Sequence, residues 1–118
     1  MPYIKKDNGR REALNDGRPA LIAGELNYQI FYYVKHQIED GKPIDVLIIK
    51  DFVDQFLEQG KKNYQRYNDM TGCLVRCYKE LQRRLDLDIT ELLYVLEEYD
   101  NEIAKYEDIK IKENGEVE

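Results

Sequence analysis

The spacing of Tyr67, Thr71, Leu74, Tyr78, Leu81 and Leu85 restricts the fold of this chain more than any other feature. The intervals alternate between four and three residues, which lines all of these side chains along one stripe of an α-helix. A strand has period two and would scatter them over both faces. The segment is therefore read as a long helix with an apolar seam that neighbours must cover. Gly72 lies inside it and costs about 1 kcal/mol against Ala, so close backbone packing is expected there.

Helical spacing recurs on either side. From Glu25 to Asp40 it is carried by Leu26, Ile30, Tyr33, Val34 and Ile38, with Gly41 placed to end the segment. Tyr28, Phe31 and Tyr32 lie off that stripe. A helix so apolar around its circumference needs cover on more than one side, and a second subunit is expected to supply some of it through these three rings. Residues 44–59 follow, ended by Gly60. Val46-Leu47-Ile48-Ile49 would also suit a strand, but the continuation to Gln59 has helical period. Asp88-Ile89-Thr90-Glu91 reads as a capping box, with Leu87 and Leu92 as its staple. It opens a fourth helix through Leu92, Leu93, Leu96, Tyr99, Ile103 and Tyr106, with Tyr94 off the stripe. Residues 1–18 are expected to form a flexible arm broken by Gly9 and Gly17, Pro19 to start a short turn before Gly24, and residues 108–118 to form a mobile charged tail. A chain of 118 residues supports one core. The expected fold is a single all-α domain, a compact bundle of about four helices that self-associates.

Catalytic motifs are missing. The chain has no serine, no Gly-rich phosphate loop and no HExxH, so an enzyme is not expected. Cys73 and Cys77 share a helix face and read as small buried hydrophobes. With His36 far away in sequence, neither a metal site nor a cofactor is expected. Glu97, Glu98 and Asp100 read as solvated carboxylates and His36 as a packing or surface residue. No segment reaches the roughly 18 apolar residues of a membrane span, and Met1–Asp7 lacks a signal-type apolar run. A cytoplasmic protein with no membrane partner is expected.

Charge is segregated. The net charge is −6, yet residues 61–84 hold seven basic against two acidic residues, and residues 85–118 three against twelve. Arg76, Lys79 and Arg83 line one helix face, with Arg84 beside them. Such a row can hold phosphate or carboxylate oxygens, form the solvated rim of a hairpin with the acidic helix, or meet a protein. Tyr64 is placed to stack a base, whereas Tyr67 and Tyr78 sit on the apolar stripe and read as core. The overall acidity argues against nucleic acid as the partner.

Met1-Pro2-Tyr3-Ile4, Glu25-Leu26-Asn27-Tyr28, Asn63-Tyr64 with Tyr67-Asn68, and Tyr106-Glu107-Asp108 with Lys110 and Glu113-Asn114-Gly115-Glu116-Val117 form a set of short motifs reaching both ends of the chain. In these the chain resembles a family of short uncharacterised bacterial and bacteriophage proteins, which open with MPYI, carry an LNY element, and close with YED and ENGDV-type motifs. Lys79-Glu80 and Arg83-Arg84 stand where that family has a Lys-Glu and an aromatic-Arg-Arg triplet, with Gln82 in place of the aromatic. Leu85–Lys105 then intervenes before Tyr106, and the proline that the family places there is missing. The resemblance implies a mobile-element setting and no assigned chemistry.

Two functions are therefore expected as alternatives. The first is a non-catalytic, anti-defence binding protein that sequesters a small anionic, nucleotide-derived host signal on Arg76, Lys79, Arg83, Arg84 and Tyr64. The second is a helical protein–protein interaction module, or inhibitor of a host protein, using Tyr28, Phe31 and Tyr32.

Overall fold

The computed structural model describes residues 4–6 and 9–117. Of the expected opening motif, Met1, Pro2 and Tyr3 lie outside the described residues. All regular structure among the described residues is helical: α1 (Arg10–Asn15), α2 (Ala23–Glu39), α3 (Val46–Glu58), α4 (Tyr64–Leu85), α5 (Glu91–Glu98) and α6 (Asp100–Asn114). The all-α class agrees with the sequence, and six helices replace the expected four or so.

Local chemistry sets the helix starts. Asp45 caps α3 by accepting from the Leu47 N–H at 2.9 Å, and Asn63 caps α4 through the Arg66 N–H at 2.9 Å. Val46–Ile49 is helical rather than extended. Of the α4 seam, Thr71, Leu85 and Tyr78, expected in the core, are half-buried, whereas Tyr67, Leu74 and Leu81 are in the core. They meet Leu26, Ile30 and Val34 of α2, Ile49, Val53 and Phe56 of α3, and Leu92 and Val95 of α5. Fully burying such a side chain contributes about 1.5–3 kcal/mol. The Cys73 thiol lies 3.5 Å from the Ala23 carbonyl, and Arg84 reaches over Phe31, so α2 and α4 run side by side in the same direction.

Several local expectations are corrected. The polar segment before Pro19 contains α1, which docks Leu14 against Ile4 and Tyr28 in a small second apolar cluster. Pro19 starts no helical turn, and Gly24 lies within α2 instead of interrupting it. The capping box does not form: the Thr90 side chain caps nothing, and the Asp88 carboxylate accepts from the Tyr78 hydroxyl instead. The fourth helix divides at Tyr99, whose hydroxyl donates to Asp54 on α3. Residues 108–114 continue α6 as exposed helix. Finally, Gly72 is exposed, and a Cβ there would meet nothing within 4 Å. The expected close packing is not supplied from within the chain.

One glycine does answer to close approach. A Cβ on Gly60 would stand 3.0 Å from Arg66 Nε. The Arg66 guanidinium lies over the Phe56 ring at 3.6 Å and donates to the Phe56 carbonyl and the Leu21 carbonyl. It thereby satisfies a carbonyl near the end of α3 and ties α3, α4 and the chain before α2 together.

A cationic aromatic groove as candidate functional site

Tyr28, Phe31, Tyr32, Lys35 and His36 follow one another on α2 at intervals of three, one, three and one, so they share a face of that helix. The face is not bare. Arg11 from α1 closes one side and Arg84 from the last turn of α4 the other, enclosing an open groove of about 290 Å³. Arg11 stands over the Tyr28 ring at 5.5 Å and donates to the Ile4 carbonyl. Arg84 stands over the Phe31 ring at 5.1 Å. Along the wall, Tyr28 stacks on Tyr32 with centroids 6.0 Å apart, and Tyr32 meets the His36 ring at 4.2 Å. Among the described residues the lining contains Arg11, Lys35 and Arg84 and no carboxylate, in a chain whose net charge is −6. On the groove's rim, Glu39 lies 3.8 Å from His36 Nδ1.

This arrangement suits a planar anion. Ring faces accept a flat π-system, and guanidinium and ammonium groups take up oxyanions. Cations stacked on rings gain about 0.5–1 kcal/mol where exposed, which holds Arg11 and Arg84 over the groove before anything binds. The thiols lie elsewhere: Cys73 and Cys77 are free and buried, and burial first of all pushes Cys73 up to about 12 and Cys77 higher still. Both are neutral thiols near pH 7. Among the described residues no three His, Cys, Asp or Glu side chains gather where a metal could sit, and no helix is long and apolar enough to cross a membrane.

The expected ligand residues separate in space. Arg84 lines the groove. Arg76 borders a different depression on α4, beside Gly72. Lys79 and Arg83 are exposed, and neither they nor Arg76 forms an ion pair among the described residues. Tyr64 faces the end of α6 near Ile111 and Asn114. The rings expected to meet a neighbouring copy are largely covered by the chain itself: Tyr28 and Phe31 are buried and Tyr32 half-buried. Sequence reading missed Arg11, Lys35 and His36. Their spacing on α2, three and four residues from Tyr32 and one apart, is the signal that would have found Lys35 and His36, whereas Arg11 becomes visible only once α1 is known to dock.

A family model described as a domain of unknown function (DUF6899) matches residues 1–117. No curated protein and no solved structure matches the chain.

Proposed function

The chain belongs to the DUF6899 family, whose description assigns no activity, and from its own surface we propose that it is a non-catalytic binding protein for a small planar anion of the nucleotide class. The observation that carries this reading is the groove in which Arg11, Lys35 and Arg84 surround the aromatic walls of Tyr28, Phe31 and Tyr32. Rings would stack the base and the cations would take the phosphate, the division of labour expected of a nucleotide site. The resemblance to short bacteriophage proteins supplies a setting in which such binding sequesters a nucleotide-derived signal of a host defence.

Calorimetric titration with linear and cyclic nucleotides and with inorganic phosphate tests the proposal. Arg84→Ala is expected to weaken nucleotide binding about tenfold or more, the value of a lost charge-assisted contact. Tyr32→Ala should reduce the preference for nucleotide over inorganic phosphate. Silence across the panel, or equal affinity in wild type and Arg84→Ala, overturns it.

A helical interaction module is the second reading, favoured by the exposure of Leu47 on α3 and Tyr94 on α5. It predicts a stoichiometric host partner whose capture is lost in Leu47→Asp and retained in Arg84→Ala. The opposite pattern would count against it.

A further inference from the structure

We infer that two copies of this chain meet through the exposed face of α4, antiparallel, about a two-fold axis passing between Gly72 and Cys73. The inference rests on a different face of α2 and α4 from the nucleotide groove, and it stands or falls independently of that proposal. Its starting point is Gly72, mid-helix and exposed, where an added Cβ would meet nothing. Glycine is a poor helix residue, and nothing inside the chain requires it here. What it leaves is a depression of about 340 Å³ between α2 and α4, bordered by Ala23, Asn27, Asp69 and Arg76. Small residues at such a point let a second helix approach to the short end of the usual 8–10 Å interaxial range.

Two further observations identify the occupant as another copy, and a third marks the hollow itself. Asp69 lies as far before the midpoint of Gly72 and Cys73 as Arg76 lies after it. An antiparallel pairing about that midpoint therefore sets the Asp69 of each copy against the Arg76 of the other, twice, as an isologous interface requires. Neither residue has an ion-pair partner among the described residues of its own chain; Asp69 accepts only from Gln65 Nε2, at 2.8 Å. Next to the hollow stands an apolar knob: Leu21 and Ile22, immediately before Ala23, are 48% and 53% exposed. The Leu21 carbonyl is held to the first turn of α4 by Arg66 Nη1 at 3.0 Å. Knob and hollow on one face are self-complementary, each copy's Ile22 filling the other's depression. Lastly, Asn27 borders the depression and is 1% exposed, with both its amide nitrogen and oxygen unpaired. A buried amide without partners is costly, and it lies directly beneath the hollow. The commonest helix crossing, about −50°, would carry Lys79 and Arg83 away from Arg66 and Lys62, which lie opposite them about this axis.

Sedimentation equilibrium tests this directly. The wild type is expected at twice the 14.1 kDa chain mass. Asp69→Arg and Arg76→Asp should each sediment as single chains with unchanged helical circular dichroism. Mixed together, they should recover the doubled mass, because each pairing across the axis is again of opposite sign. Gly72→Gln, which adds only a flexible polar side chain at an exposed site, should also give single chains and keeps the test valid if a charge variant misfolds. A wild type that stays at one chain mass, a folded mixture that does not reassociate, or a dimer indifferent to Gly72→Gln overturns the inference. None of these variants touches the aromatic groove, so nucleotide titrations distinguish failure here from failure there.

Discussion

At the scale of single residues, the most consequential side chain outside the groove is Glu25. It is 3% exposed, yet it accepts from Arg10 Nε at 2.8 Å, Arg18 Nη2 at 2.7 Å and the Leu21 N–H at 2.9 Å. Those donors come from α1 and the chain leading to α2, so one carboxylate fastens the N-terminal segment to the bundle. Burial alone would raise its pKa; the bonds from Arg18, Leu21 and Arg10 outweigh it, and the net displacement is below the ordinary 4.5. A depressed carboxylate pKa stabilises the fold above the unfolded value and loses that contribution as pH falls through the folded one. Urea unfolding followed against pH should therefore show stability declining below about pH 4.5. Glu25→Gln keeps the shape and removes the charge. It is expected to cost about 1.5–3 kcal/mol at pH 7, the range for hydrogen bonds to a charged group, with the difference from wild type shrinking toward pH 3. A difference that does not change with pH would mean the charge plays no part. None of this was legible beforehand, because an acid opening an amphipathic pattern looks the same whether it is solvated or buried.

At the scale of elements, α2, α3 and α4 were legible because apolar spacing and glycine near two of the ends agree with one another, whereas the caps at Asp45 and Asn63 emerged with the structure. The division between α5 and α6 was not. Leu92, Leu96, Tyr99, Ile103 and Tyr106 keep helical spacing across it, and no Pro or Gly marks the break. What marks it is tertiary: the Tyr99 ring is buried, with its hydroxyl bonded to Asp54 and 3.5 Å from the Lys50 carbonyl, both on α3. Asp88 likewise serves Tyr78 rather than its own helix. The end of α4 shows a local compromise. Asp86 there has φ 54°, the left-handed conformation that costs most residues roughly 1–2 kcal/mol and that glycine adopts freely. The Leu87 N–H donates back to the Leu81 carbonyl across it, the pattern of a helix stop. Asp86→Gly should raise stability by about 1 kcal/mol, or about 3–6 °C in melting temperature for a domain of this size. A lower melting temperature would show instead that the aspartate side chain contributes more than its backbone geometry costs.

At the scale of the whole molecule, the charge blocks of the sequence were legible but their use was not. Arg76, Lys79 and Arg83 share a helix face, and Arg84 lies about 100° further round. That single step carries Arg84 over Phe31 and leaves the other three pointing away from the groove. Arg11 joins Arg84 only because α1 folds back, which its short polar sequence did not reveal. The molecule thus carries a cationic aromatic groove on one side and, by inference, a self-complementary hollow on another, with Gly72 in the second. One substitution then has opposite effects in the two states of assembly. In a single chain, Gly72→Ala adds a methyl group into open space and gains helix propensity, about 1 kcal/mol. In a pair of chains the same methyl group stands where the helices cross most closely. Within the Arg76→Asp background, held as single chains, Gly72→Ala is therefore expected to raise the melting temperature by about 3–6 °C at any protein concentration. In the otherwise wild-type protein it should weaken association, and melting temperature should depend on concentration because dimerisation stabilises by mass action. Melting curves collected over a hundredfold range of concentration read both effects. An equal gain in both backgrounds would place Gly72 outside any contact between copies, whereas a gain in one and a loss in the other separates helix propensity from packing across the axis.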